Sequence, residues 1–276
     1  MKLCNRVDKR VLKEQIANSN EKRMTISFYK YAQIGNPQFF RDYLYIHFDQ
    51  VGVLGRIYVA HEGVNAQMSV PEKNYDAFVS EMEDIVFLRG IRLNTAVENS
   101  DDSFYKLIVK HRPKILADGL EDLSFDVTNK GLHLKAEEFN EIIQKENTVL
   151  LDMRNHYETE VGHFKGAITP DVDNFRESLP FIENEFLEGN EEKNIVMYCT
   201  GGIRCEKASA WYKHQGYKNV YQLEGGIIKY AHEISDKGLP NLFVGKNFVF
   251  DERLEETISP EVIANCHTCG NPYDSH

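Results

Sequence analysis

A cysteine at the end of an apolar segment is the residue of this sequence best suited to nucleophilic chemistry. Cys199 follows the apolar run 195–198, and Gly201 and Gly202 come soon after it. Such a run is typical of a strand buried in a parallel sheet, and the glycines permit a sharp turn into a helix. Loop N–H groups and a helix N-terminus both favour an anion, so we expect this thiol to ionise readily.

The other residues of this loop bear on the same chemistry. Arg204 places a permanent positive charge beside Cys199, and we expect it to stabilise negative charge during a reaction. Thr200 and Ile203 complete the predicted active loop. Cys205 falls in the first helical turn and has two interpretations: a resolving thiol that forms a disulfide with oxidised Cys199, or a small side chain that fills the core.

The elements that must position the loop belong to the second of two predicted domains. Alternating strands and helices over residues 131–235 indicate an α/β domain with a parallel sheet. Residues 23–115 follow the order βαββαβ, which is typical of a ferredoxin-like fold, an antiparallel sheet covered by helices on one side. Within it, the strands 55–60 and 63–69 are separated by a short turn and should pair as a hairpin.

Three further segments complete the predicted organisation. Residues 1–22 are polar and mixed in charge, and we expect a loosely ordered arm or a short helix. Residues 116–130 have no clear period and are interpreted as a linker. Residues 236–276 are expected to form an irregular C-terminal tail.

Composition restricts the environment and the partners of the chain. The net charge of −11 argues against non-specific nucleic-acid binding over the whole surface, but it leaves room for a local basic face. The five cysteines are odd in number and sparse, which fits a reducing compartment. No apolar run approaches membrane-spanning length, and the first residues lack the apolar stretch of a secretory signal. We therefore expect a cytoplasmic protein without a membrane partner.

Two smaller groups of residues each leave two interpretations open. Lys106, Lys110 and Arg112 belong to a basic run that either contacts RNA phosphates or forms a solvated strand edge. Cys266 and Cys269 have the spacing of metal ligands, but one such pair supplies two of the four ligands that structural zinc takes. Two expectations therefore stay open: the pair binds zinc, or it binds no metal. No dinucleotide-binding fingerprint is present, and the sequence itself indicates no organic cofactor.

The loop resembles the active loop of rhodanese-like domains. The resemblance is carried by 199–204, by 151–154 with Glu158, by 162–167 and by 223–227, in this order of motifs along the chain. It implies that Asp152 helps to hold the loop, since carboxylate oxygens at a strand end can accept loop amide hydrogens. Arg154 stands beside it, and it either faces the substrate or forms an ion pair that supports the loop.

The whole architecture resembles the tRNA uridine hydroxylase family. A ferredoxin-like (acylphosphatase-like) domain, a rhodanese domain and a Cys-x-x-Cys tail occur together in this order. The resemblance implies oxygen-dependent formation of 5-hydroxyuridine at the tRNA wobble position, with tRNA as partner and molecular oxygen as co-substrate. Cys199 would then add to the uracil ring. Two alternatives stay open: sulfur transfer through a Cys199 persulfide, and a protein-binding module whose loop is inert.

Overall fold

The computed structural model describes residues 3–122 and 124–265 and divides into two compact units. The first unit runs to Leu116 and also includes Phe250–Leu254. The second runs from Ala117 to Val249 and resumes at Glu255. In the described part of the chain, no helix is long and apolar enough to cross a membrane.

The first unit is a sheet with helices on one side. Its strands lie in the order β4-β1-β3-β2-β5. The predicted hairpin is confirmed, because β2 and β3 pair antiparallel up to the turn between Ala60 and Gly63. The elements are α1 (Lys9–Ala17), β1 (Arg23–Tyr31), α2 (Pro37–Gln50), β2 (Leu54–Ala60), β3 (Gly63–Pro71), α3 (Tyr75–Asp84), β4 (Asn94–Thr95) and β5 (Leu107–His111).

The core of this unit follows from alternation along the strands. Every second side chain of β2 and β3 is buried, and α2 and α3 cover that face with Phe48 and Phe78. Proline at the first position of α2 suits the helix start, and the side chain of Asn36 caps it by accepting a hydrogen bond from the Phe39 N–H.

The last strand of this unit departs from the predicted antiparallel sheet. β5 pairs with β2 in parallel, with Ile57 opposite Val109, so the sheet is mixed. β4 is only two residues long and pairs with β1 at the opposite edge. The chain after β4 crosses to the far edge of the sheet, and β5 therefore enters beside β2 in the direction of β2.

The second unit contains a parallel sheet in the order β6-β10-β9-β7, as expected for an α/β domain. An antiparallel sheet in the order β12-β11-β8 belongs to the same unit. The elements are β6 (Leu132–Leu134), α4 (Ala136–Ile142), β7 (Thr148–Asp152), α5 (His156–Thr159), β8 (Gly162–Phe164), α6 (Phe175–Ile182), a π-helical turn (Glu183–Leu187), β9 (Asn194–Tyr198), α7 (Ile203–His214), β10 (Val220–Leu223), α8 (Gly226–Lys237), β11 (Phe243–Phe248) and β12 (Glu255–Thr257).

The prediction of an irregular tail after residue 236 is wrong for its described part. β11 pairs antiparallel with β8 and with β12. Residues of β11 alternate between buried and half-buried, with Phe243, Gly245 and Asn247 inside. This period of two is a strand signal, but polar residues and a glycine interrupt its apolar pattern.

Gly226 lets the last long helix approach the loop that follows β9. Its φ is +68°, and a Cβ there would lie 2.4 Å from the carbonyl oxygen of Cys199. Gly238, at the other end of α8, has φ +63° and no atom within 4 Å of a built Cβ. The two glycines therefore share a backbone conformation and differ in available space.

We expect Gly226→Ala to destabilise the protein more than Gly238→Ala. Both variants carry the left-handed penalty of about 1–2 kcal/mol. Gly226→Ala adds an overpacking cost of about 1–3 kcal/mol against backbone that has little freedom to move. Urea unfolding of both variants measures the difference, and equal free energies of unfolding would contradict the close approach.

Candidate active site

Cys199 lies between the end of β9 and the start of α7, as the sequence indicates. β9 is an inner strand of the parallel sheet, with β10 on one side and β7 on the other. Gly202 has φ +101° and caps α7, so the chain turns sharply from strand to helix. The thiol is fully buried, so whatever covers it must move before a large substrate reaches the sulfur.

The surroundings of Cys199 favour the thiolate. The Gly202 N–H donates a hydrogen bond to the Cys199 Sγ at 3.2 Å. Burial alone would raise the pKa of this thiol. Hydrogen bonds from the side chain and backbone of Cys205, the charge of Arg204 and the Gly202 N–H together outweigh burial and lower the pKa of Cys199 to about 6. At neutral pH the nucleophilic form therefore predominates.

Cys205 has the opposite character. Burial and the neighbouring sulfur of Cys199 raise the pKa of the Cys205 thiol well above its ordinary value. Cys199 and Cys205 are both free cysteines. Cys205 thus acts as a neutral donor to the Cys199 thiolate, and its service as a resolving thiol stays a prediction.

Arg204 is held by Glu158, a pairing that the sequence analysis did not anticipate. Its Nη1 and Nη2 donate to the two carboxylate oxygens at 2.5 and 2.8 Å, and both side chains are buried. Arg204 Nη2 also donates a longer, weaker hydrogen bond to the Thr200 Oγ1 at 3.4 Å. The bidentate pair fixes the guanidinium in one orientation near the thiolate. Glu158 and Arg204 are far apart in sequence, so the sequence carries no signal for their pairing and indicates Glu158 only as part of a motif.

Asp152 and Arg154 form a second buried ion pair. The Asp152 carboxylate accepts hydrogen bonds from Arg154 Nε and Nη2, the latter at 2.6 Å, and both side chains are fully buried. Arg154 Nη1 also donates to the carbonyl oxygen of Glu158 at 3.2 Å. Arg154 therefore forms an ion pair, which is one of the two roles that the sequence leaves open for it. Asp152 reaches the loop through Arg154 and the Glu158 backbone.

The start of α8 also holds the loop. The N–H groups of Ile227 and Ile228 donate to the carbonyl oxygens of Cys199 and Thr200 at 3.0 and 3.2 Å. These are helix N-terminal donors that would otherwise lack helical partners. Together with Gly226 they fix the backbone that carries the thiol.

The remaining predicted residues lie elsewhere. Lys106, Lys110 and Arg112 belong to the first unit, where Lys110 and Arg112 are exposed and Lys106 is half-buried. Cys266 and Cys269 lie outside the described residues, so their zinc binding stays a prediction from spacing. In residues 3–122 and 124–265, no group of three or more His, Cys, Asp or Glu side chains has the arrangement of a metal site.

Domain models match three parts of the chain. An acylphosphatase-like domain described as UPF0176 matches residues 23–115, a rhodanese-like domain matches 135–233, and a rhodanase C-terminal segment matches 244–276. The chain is thus a rhodanese-domain protein with an acylphosphatase-like domain before it. A solved rhodanese-like domain from Anabaena is 18% identical over 41% of this chain and 78% of that chain, with a TM-score of 0.32.

Relatives that match nearly the whole of this chain identify one family within this class of proteins. A protein of Leptospira interrogans named tRNA uridine(34) hydroxylase is 53% identical over 99% of this chain and 74% of its own length. One of Yersinia pestis with the same name is 52% identical over 99% of this chain and 77% of its own length. The chain belongs to the tRNA uridine(34) hydroxylase family.

We expect Cys199 to be alkylated much faster than Cys205 at neutral pH. Both thiols are fully buried, so the comparison removes most of the difference in access and reports ionisation. The Cys199 rate should rise with pH through a midpoint near 6, where its thiolate forms. Iodoacetamide labelling followed by peptide mass spectrometry measures both rates, with exposed Cys4 as the reagent control. Equal rates at Cys199 and Cys205 would contradict an activated nucleophile.

We expect Glu158→Gln to cost about 3 kcal/mol of stability, because it leaves the buried Arg204 cation without its counter-charge. Glu160→Gln, an exposed neighbour, should change stability by less than about 0.5 kcal/mol. Denaturant unfolding of both variants provides the test. Indistinguishable curves would mean that the buried pair contributes nothing to holding the loop.

Proposed function

We propose that this chain hydroxylates the uracil ring of uridine 34 in tRNA. The observation that carries the proposal is a thiolate-stabilising loop in a chain that is 53% identical, over nearly its full length, to a protein named tRNA uridine(34) hydroxylase. A low-pKa thiol is the soft nucleophile that such a ring needs. We also propose a cytoplasmic location, in keeping with the small number of cysteines.

The proposed first step is addition of the Cys199 thiolate to C6 of the uracil ring. A bond forms from Sγ to C6, and the electrons of the C5–C6 double bond move toward the C4 carbonyl. C5 becomes electron-rich, as in an enolate, and can react with an oxidant. Later loss of the C5 proton and departure of the thiolate restore the double bond. The Gly202 N–H and the charge of Arg204 favour that departure because they stabilise the released thiolate.

We propose molecular oxygen as the oxidant. One oxygen atom enters the ring at C5, and the other leaves as water after it takes up two electrons and two protons. The reaction therefore consumes a two-electron reductant, and dithiothreitol can serve as this reductant in an assay.

Purified protein with unmodified tRNA, dithiothreitol and ¹⁸O₂ should yield 5-hydroxyuridine that carries the label. The same reaction in ¹⁸O-labelled water under ordinary oxygen should yield unlabelled product. Nucleoside mass spectrometry reads both, with Cys199→Ser as the inactive control. Label entering from water instead would contradict oxygen as the source. Thiouridine formation with thiosulfate and no hydroxyuridine would support sulfur transfer, which the names of the relatives do not favour.

We further propose that the basic run at the end of the first domain contacts tRNA phosphates. Lys110 and Arg112 are exposed, in a chain of net charge −11. Local positive charge on an acidic protein is well suited to guide a polyanion to one face.

Replacing both Lys110 and Arg112 with Ala should weaken tRNA binding and reduce the salt slope of log Kd by about 2. A variant with Ala at Lys145 and Lys218, two exposed lysines of the second unit, removes the same charge elsewhere. Fluorescence anisotropy at several salt concentrations compares the two double variants. Identical slopes for both would assign Lys110 and Arg112 to a solvated strand edge.

A further inference from the structure

The sheet of the first unit has a second face, opposite the one that α2 and α3 cover. Side chains of β2 and β3 that alternate with the core residues point to the face opposite α2 and α3. On this face the two strands carry polar and aromatic side chains, all half-buried: Arg56, Tyr58, Asn65 and Gln67.

These four side chains are adjacent and enclose a pocket. Arg56 lies opposite Gln67, and Tyr58 lies opposite Asn65 in the antiparallel register. With Phe250 they line a pocket of about 180 Å³. That is below the roughly 300–1,000 Å³ of pockets for drug-sized ligands, so the space suits a single planar ring.

The one charged side chain among the described lining residues of this pocket is cationic. Arg56 is part of its lining, and none of the described lining residues is acidic. The guanidinium of Arg112 lies 5.7 Å from the centre of the Tyr58 ring, and Lys110 is the cross-strand partner of Tyr58 on β5. A planar ligand that carries negative charge therefore fits better than a neutral or cationic one.

The lining also fits the chemistry of a nucleotide. Aromatic side chains such as Tyr58 and Phe250 can stack on a base. The Asn65 Nδ2 also donates to the carbonyl oxygen of Ile115 at 3.4 Å, and the remaining amide groups of Asn65 and Gln67 can donate to and accept from the edge of the base. Arginine and lysine nearby can contact the phosphates on either side. We propose that this sheet pocket (Arg56, Tyr58, Asn65, Gln67 and Phe250) binds one unpaired nucleotide of the tRNA. The identity of the RNA as tRNA rests on the proposed function.

The test compares a single-stranded loop with a duplex. Full-length protein binds a labelled anticodon stem-loop or a fully paired RNA of the same stem, at fixed salt. Tyr58→Leu should weaken stem-loop binding roughly 10-fold and leave duplex binding within about 2-fold, because only unpaired bases can stack. Tyr58→Phe, which keeps the ring, should bind the stem-loop within about 2-fold of the wild type.

Tyr43→Leu is the matched control. Tyr43 packs against the core on the helix side of the same sheet, so this variant loses packing without touching the pocket. It should retain stem-loop affinity. If Tyr58→Leu fails to fold by circular dichroism, Gln67→Ala takes its place, with an expected loss of stem-loop affinity alone. Unchanged stem-loop binding by the folded pocket variant, or equal losses for stem-loop and duplex, would overturn the proposal.

This result is separable from the proposed activity. Cys199→Ser should bind the stem-loop like the wild type and form no 5-hydroxyuridine. Loop binding that depends on Tyr58 in a protein that never hydroxylates uridine would refute the activity and leave the pocket intact. Normal hydroxylation, with an unchanged KM in Tyr58→Leu, would refute the pocket and leave the activity intact.

Discussion

The buried ion pair between Glu158 and Arg204 is the interaction on which the site depends. A guanidinium carried out of water is costly, and a carboxylate in bidentate contact offsets much of that cost. The pair leaves the arginine charged and fixed near a sulfur that burial alone would keep neutral. Asp152 and Arg154 form a second buried ion pair. Arg154 also donates to the backbone carbonyl of Glu158, and this hydrogen bond connects the two pairs.

The thiolate results from a balance between burial and fixed donors. Desolvation opposes ionisation of both cysteines, yet their pKa values move in opposite directions. Cys199 receives hydrogen bonds, two of them from the side chain and the backbone of Cys205, so negative charge is stabilised on the Cys199 sulfur alone. Because the turn at Gly202 and the start of α8 fix the backbone of the loop, these donors need no rearrangement when the thiolate is released.

The sequence predicts the structural features that depend on a local pattern of residue types. The apolar run before Cys199, the glycines after it and the period of the following helix together indicate strand, turn and helix, and the structure has all three. The Glu158–Arg204 pair and the approach of Gly226 arise from contacts between distant segments, for which a single sequence carries no period. The residues after 236 do not predict strands on their own, because their apolar pattern is weak and pairing with β8 stabilises the segment. Parallel entry of β5 depends on the path of a long connection, which residue types do not encode.

Addition of Cys199 to the uracil ring is the central chemical claim, and hydrogen exchange tests it directly. Without oxygen, the electron-rich C5 of the adduct takes up a proton from solvent. Loss of the original C5 proton and departure of the thiolate then restore the double bond and leave the solvent hydrogen at C5. In D₂O under anaerobic conditions, we expect the wild-type protein to place deuterium at C5 of uridine 34, and Cys199→Ser to leave that position unlabelled. Absence of deuterium at C5, from protein that forms 5-hydroxyuridine once oxygen is admitted, would contradict nucleophilic addition by Cys199.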